Sequence, residues 1–336
     1  MRAAVYKGPD QGLAIETIPD PEPGQREVVI RVESSGICGT DLHMTDGHGL
    51  VEASPGSVLG HEYAGEVVAI GSDVHGVTSG QRVTALAMPA CGQCGPCQSG
   101  DLLWCEGDDK IAATTGGFAE FVAVGAAATV PLPDGVTSEL GALAEPLSVA
   151  HHGVELASLH GDERIVVIGA GPIALAVTYW IRSRGIGQVT VVARTARREA
   201  LARAMGAASF VATTEGQTLS EIEKADIVFE AAGSRGALSQ ALEYVRPRGT
   251  VIGLGFYDEP DTIVPALWVM PEIRLQFAMM YSKVDFAASL EELREHPEDL
   301  GRMITAVIPL GDLPKMFTDL RGPSNQGKVL VNPTLG

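Results

Sequence analysis

The segment RIVVIGAGPIALAVTYWI, residues 164–181, restricts the fold of this chain more than any other stretch. A continuous apolar run such as IVVI is typical of a parallel strand that is buried on both faces. The glycine turn that follows leads directly into a second apolar segment, which has the length of a helix. The whole stretch is close to the shortest that spans a bilayer, but its glycines and proline favour a strand, a turn and a buried helix.

Apolar strands and helical segments continue to alternate after residue 181. One helical segment, residues 196–207, contains the glycine that closes it. Buried strands separated by helices predict a parallel, doubly wound α/β sheet. The further strands of this sheet are QVTVVA (188–193), ADIVFEAAG (225–233), GTVIGLG (249–255) and IRLQFAMM (273–280).

The residues on both sides of this block have a different pattern. The first 150 residues are rich in short β segments such as EVVIRVESSGIC (27–38), with glycine or proline between them. GKVLVNP (327–333) predicts a closing strand of the same domain. We therefore predict a mostly β domain from residues 1–148 and 288–336, with a parallel-sheet domain of residues 149–287 inserted. The length of 336 residues suits two domains.

The turn GAGPIA predicts a dinucleotide site. Gly169 permits a tight turn, Gly171 lets the backbone approach a pyrophosphate, and the small Ala174 allows the helix to pack on the strand. The helix N-terminus, at Pro172 and Ile173, favours anionic phosphates. The alternative is a turn that only connects strand and helix, but this turn has both flanking elements that the binding motif requires.

The residues after the second strand of the sheet indicate which dinucleotide binds. An NAD site usually has Asp or Glu at the end of this strand, where it binds the ribose 2′-hydroxyl. Here Ala193 occupies that position and Arg194 follows it. No acidic residue lies between Pro172 and Arg198. The charged residues of this stretch are Arg182, Arg184, Arg194, Arg197 and Arg198.

Arginine offers a planar pair of donors that suits a 2′-phosphate, so we predict NADP(H) rather than NAD(H). The alternative for Arg197 and Arg198 is a solvated helix start. The predicted cofactor-binding residues are Gly169, Gly171, Pro172, Ile173, Ala193, Arg194, Arg198, Ala232 and Leu254.

Four of the five cysteines lie in CGQCGPCQSGDLLWC, residues 91–105, namely Cys91, Cys94, Cys97 and Cys105. Four thiolates can close a tetrahedral shell around a structural zinc ion, which then only fixes the surrounding loop. The first three also fit an iron–sulfur run, but the fourth spacing differs from ferredoxin patterns. Disulfides are disfavoured, because the N-terminus MRAAVYKGPD lacks a secretory signal and we expect the reducing cytoplasm.

A second metal site is predicted outside this cysteine cluster. Catalytic zinc needs three protein ligands and one open position. The sulfur of Cys38, the imidazole of His61 and a carboxylate from Glu62 or Glu145 would suit it. Each residue also has an ordinary explanation, as a core cysteine, a buried histidine or a carboxylate at a helix start. The net charge of −18 argues against a nucleic-acid partner, and we expect no membrane partner either.

The chain resembles the zinc-dependent medium-chain alcohol dehydrogenases over essentially its full length. The resemblance rests on GICGTDLH (36–43), GHExxGxxxxxG (60–71), the four cysteines, EPLSVA (145–150) and GAGPIA (169–174), in the order of that family. It implies a GroES-like, mostly β catalytic domain with an inserted Rossmann domain. It also implies two zinc ions per chain, one catalytic and one structural, and hydride exchange between a nicotinamide cofactor and an alcohol or ketone.

The resemblance implies individual roles as well. Cys38 and His61 are expected to bind the catalytic zinc, and either Glu62 or Glu145 to supply the third ligand, as in the polyol and threonine dehydrogenase branch. Thr40 is expected to receive the substrate proton and His43 to pass it outward. Asp41 is expected to hold His61, or else to cap a turn. A homodimer or homotetramer is expected, with strand 273–280 as the candidate contact.

Two features depart from the family pattern. Gly39 stands where some relatives have a basic residue near the pyrophosphate, and the arginines after Ala193 depart from the NAD-preferring branch that EPLSVA suggests. An NAD-dependent polyol or amino-alcohol dehydrogenase is therefore the main alternative, and a non-catalytic zinc- or nucleotide-binding protein on the same fold is the second. The sequence leaves open the substrate and the reaction direction. Residues 46–56, 255–260 and 278–282 are the expected substrate segments.

Overall fold

The computed structural model describes residues 1–48, 51–88, 90–107, 115–214, 223–256 and 260–335. The chain divides into two compact units, one formed by Met1–Glu145 with Tyr281–Gly336 and the other by Pro146–Met280. The sequence placed these divisions after residues 148 and 287. The first division falls inside a helix, Ala144–Leu156, where no turn residue marks a boundary.

Strands and helices contribute similar numbers of residues to the described structure. In chain order they are β1 (Arg2–Tyr6), β2 (Leu13–Thr17), β3 (Glu27–Gly36), β4 (Glu62–Ile70), β5 (Arg82–Ala85), β6 (Phe121–Gly125), β7 (Thr129–Pro131), β8 (Ile165–Ile168), β9 (Val189–Ala193), β10 (Ser209–Ala212), β11 (Ala225–Glu230), β12 (Val245–Gly253), β13 (Arg274–Phe277), β14 (Ile304–Pro309) and β15 (Lys328–Asn332).

The α-helices are mostly short. They are α1 (Gly39–His43), α2 (Gly95–Ser99), α3 (Ser138–Gly141), α4 (Ala144–Leu156), α5 (Pro172–Ser183), α6 (Glu199–Ala204), α7 (Ala237–Ala241), α8 (Pro265–Val269), α9 (Lys283–Glu295), α10 (Pro297–Gly301) and α11 (Leu313–Arg321). Among the described residues, none of these helices is long and apolar enough to cross a lipid bilayer.

The unit that contains the N-terminus is built on a mostly antiparallel sheet. Its strand order is β14-β15-β3-β4-β5-β7, and β6 also pairs with β3. Gly36, at the end of β3, lies opposite Glu62, at the start of β4, and also opposite Leu330 of β15. This register brings the residues that follow β3, precede β4 and begin β15 to one end of the sheet.

The other unit contains a six-stranded parallel sheet in the order β10-β9-β8-β11-β12-β13. The chain runs from β8 outward to β10 and then returns through β11 toward β13, which is the doubly wound arrangement. Val166, Val228 and Val251 from three neighbouring strands share one buried core cluster. The predicted fold class is confirmed for both units.

The turn after β8 has the conformation that its glycines suggest. Gly169 adopts a φ of +110°, and a Cβ atom there would lie 3.0 Å from the carbonyl oxygen of Ala231. Only glycine therefore combines this backbone conformation with this close approach. Gly171 is the N-cap of α5, Pro172 begins the helix, and Ala174 is buried. The turn lies where the strand order reverses, which is the ligand-binding edge of such sheets.

Candidate metal centres and nucleotide site

Helix α1 presents the first predicted metal ligand. Cys38 is its N-cap, and the backbone N–H of Cys38 donates to Oδ2 of Asp41 over 3.0 Å. At the other end of this five-residue helix, Nη2 of Arg321 donates to the carbonyl oxygen of Leu42 over 2.8 Å and to Oγ1 of Thr45 over 2.7 Å. A helix this short is not stable alone, so these contacts at both ends fix its position.

Asp41 also holds the second predicted ligand. Its side chain is 1% exposed, and Oδ1 lies 3.4 Å from Nδ1 of His61. The backbone N–H of Gly60 donates to the same oxygen over 3.3 Å. Burial disfavours the imidazolium of His61, but the Asp41 carboxylate and the Cys38 sulfur outweigh this effect and raise the pKa of His61 well above its usual value. A carboxylate in this position orients a metal-binding histidine.

The structure brings three of the predicted ligands together. One ligand atom from each of Cys38, His61 and Glu62 lies within 4.8 Å of the others. Sulfur, imidazole nitrogen and carboxylate oxygen are all donors that zinc accepts. The donor set therefore fits a zinc ion at the end of the sheet where β3 ends and β4 begins.

Glu62 has a partner that the sequence does not suggest. The Nζ atom of Lys328 donates to Oε1 and Oε2 of Glu62 over 2.7 and 2.6 Å, and to the carbonyl oxygen of Ile37 over 3.1 Å. Both side chains are 1% exposed. A Cβ atom at Gly36 would lie 2.0 Å from Oε2 of Glu62, so the carboxylate rests directly against the glycine backbone.

Glu145 lies in the same unit but outside this group of three. It is in the first turn of α4 and is buried. Burial raises the pKa of Glu145 to about 7; the charge of His61 opposes this increase, the charge of Glu62 adds to it, and the charge of Lys328 opposes it. A buried carboxyl with this pKa is a candidate metal ligand, because a cation would restore its ionised form.

The predicted proton-relay residues both lie on α1. Oγ1 of Thr40 is 3.6 Å from Sγ of Cys38, so the hydroxyl lies beside the predicted metal position. His43 is three residues further along, on the same side of the helix, and is half-buried. Of the expected substrate segments, residues 49, 50 and 257–259 lie outside the described residues, and His48 is exposed.

The four clustered cysteines form a second, closed group. One sulfur atom from each of Cys91, Cys94, Cys97 and Cys105 lies within 4.8 Å of the other three. All four are free thiols. Their geometry suits the tetrahedral four-thiolate shell of a structural zinc ion.

Backbone amides around this cysteine group favour thiolates. The N–H of Cys97 and that of Glu106 lower the pKa of Cys94 to about 6, and the N–H of Cys91 lowers the pKa of Cys105. Burial raises the pKa of Cys97 to about 12. The surroundings of Cys94 thus favour its thiolate, whereas those of Cys97 disfavour it.

The predicted nucleotide residues lie at the carboxyl ends of the parallel strands. Ala193 is the last residue of β9, and Arg194 follows it, exposed. Arg198 is partly buried, and its Nε atom has no hydrogen-bond partner among the residues that the structure describes. Burial lowers the pKa of Arg198. This guanidinium is therefore available to an anionic ligand.

Ala232 and Leu254 follow β11 and β12. The N–H of Ala232 donates to Oε1 of Glu230 over 2.7 Å, and the N–H of Leu254 donates to the carbonyl oxygen of Glu230 over 2.7 Å. The buried Glu230 thus fixes both segments, a role that its position in the apolar segment ADIVFEAAG could have indicated.

Comparison with known proteins agrees with this geometry. Residues 24–134 match the alcohol dehydrogenase GroES-like domain, and residues 172–295 match the zinc-binding dehydrogenase domain. L-threonine 3-dehydrogenase of Stenotrophomonas maltophilia is 30% identical over 99% of each chain. The chain belongs to the zinc-dependent medium-chain dehydrogenases.

Two other members of this family are informative. Sorbitol dehydrogenase of Halalkalibacterium halodurans is 29% identical over 96% of each chain. A zinc-binding dehydrogenase from Sinorhizobium meliloti 1021, solved with NADP bound, superposes with a TM-score of 0.87 at 28% identity, over 99% of each chain. As a medium-chain dehydrogenase, the protein is an oxidoreductase of the class that acts on alcohols or polyols.

Proposed function

We propose that this dehydrogenase exchanges a hydride between NADP(H) and a secondary alcohol or ketone, or a polyol-like substrate. The group formed by Cys38, His61 and Glu62, with all three ligand atoms within 4.8 Å, carries this proposal. A bound zinc ion supplies a Lewis acid that polarises the substrate oxygen. The described geometry supports a catalytic zinc at this group and a structural zinc at the four cysteines, two ions per chain.

The chain's own residues have defined tasks in this proposal. The carboxylate of Asp41 faces Nδ1–H of His61 and acts as its acceptor. This leaves Nε2 of His61 as the atom that binds the metal. Thr40 receives the proton of the substrate hydroxyl, because its Oγ1 lies beside the sulfur of Cys38. His43 passes this proton outward. The turn of Gly169 and Gly171 binds the pyrophosphate of the cofactor at the N-terminus of α5.

The preference for NADP(H) is supported by charge. A carboxylate is absent from position 193, where Ala193 stands, so no fixed negative charge from that residue repels a 2′-phosphate. Nε of Arg198 has no hydrogen-bond partner in the described ranges, and Arg194 is exposed one residue after the strand. The NADP found in the Sinorhizobium meliloti relative agrees with this preference.

An NAD-dependent polyol or amino-alcohol dehydrogenase is the second candidate. The relatives that act on sorbitol and threonine by name favour such substrates. A non-catalytic zinc- or nucleotide-binding protein is the third, and the convergence of Thr40, Cys38 and His61 at one point disfavours it.

We also propose that the protein is a homodimer or homotetramer that associates through β13. This strand is at the edge of the parallel sheet, and Phe277, Met279 and Met270 are exposed on or near it. An unpaired strand edge with apolar side chains is suited to pairing with a second copy. The cytoplasm is the compartment we propose, because both cysteine sites need reduced thiols.

The test is an assay of secondary alcohols, polyols, amino alcohols and ketones with both cofactors, together with zinc analysis. We expect two zinc ions per chain and a higher kcat/KM with NADP(H). Equal kcat/KM values for the two cofactors would contradict the NADP(H) preference. No hydride transfer by protein that holds both zinc ions would contradict the proposed enzyme and favour the binding protein.

A further inference from the structure

Arg321, the last residue of α11, contacts the end of α1 through a single nitrogen atom. Its Nη2 donates to the carbonyl oxygen of Leu42 over 2.8 Å and to Oγ1 of Thr45 over 2.7 Å. The same nitrogen lies 2.9 Å from Oδ1 of Asp46. A cation is favoured at the C-terminal end of a helix, where the partial charge of the backbone is negative. Arg321 therefore ties α11 to the last turn of α1 and to the segment that follows it.

Thr45 carries this contact further along α1. Its side chain is buried, and its hydroxyl donates to the carbonyl oxygen of Asp41 over 2.9 Å. The carboxylate of Asp41 in turn accepts the N–H of Cys38 over 3.0 Å. A continuous series of hydrogen bonds thus runs from Arg321 through Thr45 and Asp41 to the first residue of the α1 segment.

Helix α11 is a firm support for Arg321. Leu313 and Phe317 of α11 are buried in one core cluster with Ile37, and Leu42 of α1 packs against this cluster. The ring of Phe317 also packs edge-on against that of Phe118, with centroids 5.9 Å apart. Because protein interiors are densely packed and barely compressible, α11 can hold the end of α1 at a fixed distance.

The segment held in this way carries the proposed proton path. Oγ1 of Thr40 lies 3.6 Å from Sγ of Cys38, and His43 follows three residues later on α1. In the proposed oxidation, the substrate hydroxyl gives its proton to Oγ1 of Thr40, and the proton of Thr40 leaves toward His43. The carbinol hydrogen leaves with its electron pair for the nicotinamide. Proton transfer needs hydrogen-bond distances of about 2.6–3.2 Å, so a shift of α1 by about 1 Å interrupts it.

We propose that Arg321 is a positioning residue for this proton transfer, because it keeps the Thr40 hydroxyl at the distance from the substrate oxygen that the transfer requires. This inference rests on the proposed dehydrogenase function. His61 and Glu62 lie at the start of β4, outside α1, so zinc binding should depend on Arg321 less than proton transfer does.

Arg321→Met tests the role by removing the donors while keeping an apolar stem. We expect kcat for alcohol oxidation to fall by about 10- to 100-fold, with two zinc ions per chain and an unchanged KM for the cofactor. The solvent deuterium isotope effect on kcat should rise, because proton transfer becomes the slow step. Arg321→Lys should recover most of the lost kcat, since one nitrogen makes all these contacts and an ammonium has three donors. A wild-type kcat and isotope effect in Arg321→Met would overturn the proposal.

A double variant separates positioning from a general loss of structure. Thr40→Ala removes the hydroxyl that Arg321 is proposed to position. In that background, Arg321→Met should lower kcat by no more than about 2-fold further, because two changes that act through one group are not additive. If Arg321→Met causes its full loss in Thr40→Ala as well, Arg321 does not act through Thr40 and the proposal is wrong.

Two further variants complete the experiment. Lys315→Met removes an exposed ion pair with Asp319 on the same helix, and this matched control should keep the wild-type kcat and isotope effect. Thr45→Val breaks the link from Arg321 to Asp41 without removing a charge, so it replaces Arg321→Met if that variant does not fold. It should lower kcat and raise the isotope effect in the same direction, and wild-type values would count against the proposal.

The outcomes distinguish this inference from the function on which it rests. If the wild-type protein holds both zinc ions but transfers no hydride, the proposed dehydrogenase fails. If the wild type is active and Arg321→Met matches it in kcat and isotope effect, the proposed function stands and only the role of Arg321 is wrong.

Discussion

At the scale of single residues, the chemistry of this chain depends on what each charged group faces. Asp41 is buried against His61 and accepts hydrogen bonds from two backbone N–H groups, so its side chain is fixed in a position that orients the imidazole. Arg198, by contrast, is partly buried, and its Nε has no hydrogen-bond partner within the described part of the chain. The first arrangement is complete within the protein, whereas the second leaves a donor free for the proposed nucleotide.

Cys38→Ser and His61→Ala test the proposed catalytic metal. Each variant should lower kcat by about 1000-fold or more, since the substrate oxygen is no longer polarised. Zinc content should fall from two to one per chain, and the affinity for NADPH, measured by its fluorescence, should stay unchanged. Turnover near the wild-type rate in either variant after zinc removal would contradict a catalytic zinc.

Arg198→Ala and Arg194→Ala test the 2′-phosphate assignment. Loss of a charge-assisted hydrogen bond should raise KM for NADPH by about 10- to 100-fold and change KM for NADH little. Arg197→Ala is the matched control, because Arg197 is an exposed neighbour with the same charge. Equal increases in KM for NADPH and NADH would show that these arginines do not bind the 2′-phosphate.

At the scale of elements, the structure shows why some parts of the site were predictable and others were not. The glycine turn, α5 and the four cysteines are local, so their spacing in the sequence already reflects their geometry. Cys38 and His61 could be paired only through family resemblance. Lys328 was missed because it lies 266 residues from Glu62 and resembles any lysine at the start of a strand.

Cys97→Ser tests the cysteine cluster as a structural element. With one thiolate lost, we expect one zinc ion per chain instead of two and a melting temperature lower by about 5 °C or more. The kcat measured at low temperature should stay close to that of the wild type. A loss of turnover without any change in melting temperature would contradict a purely structural role.

The side chain of Glu163 stabilises the turn before β8, and its contribution can be tested. Its side chain accepts the N–H groups of His160 and Gly161 over 2.6 and 2.8 Å. Burial opposes ionisation, but these donors outweigh it and lower the pKa of Glu163. A lowered pKa adds stability above the ordinary value of 4.5, and this stability is lost as the pH falls through the lower folded value.

Glu163→Gln should therefore lower the free energy of unfolding by about 1–2 kcal/mol at pH 7. The difference from the wild type should shrink as the pH falls below 4.5, as measured by urea unfolding across that range. A difference that does not depend on pH would show that the carboxylate charge is not what stabilises the turn.

At the scale of the whole molecule, composition and strand pattern were sufficient to predict two units of different architecture. The inserted parallel sheet and the split mostly β unit both follow from where apolar runs alternate with helices. The division points were less predictable, because α4 runs through the first of them without a turn.

Phe277→Lys tests the proposed assembly of whole chains. A charge on the edge strand β13 should prevent its pairing with a second copy and halve the mass measured by light scattering. Val284→Lys is the control, because Val284 is also apolar and exposed but lies on α9 in the other unit. If the mass of Phe277→Lys equals that of the wild type, the subunit interface does not involve the edge of β13.

The contacts of Arg321 and Lys328 have a consequence for the order of events during synthesis on the ribosome. The four clustered cysteines emerge within fifteen residues of one another, so they can capture zinc early. Some contacts of the segment of Cys38 come from residues that are translated much later, since Arg321 lies 279 residues after Leu42. At about 5–20 residues per second, the proposed catalytic group completes these contacts on the order of ten seconds or more after Cys38 is synthesised. The proposed structural zinc is thus expected to bind first and the proposed catalytic zinc last.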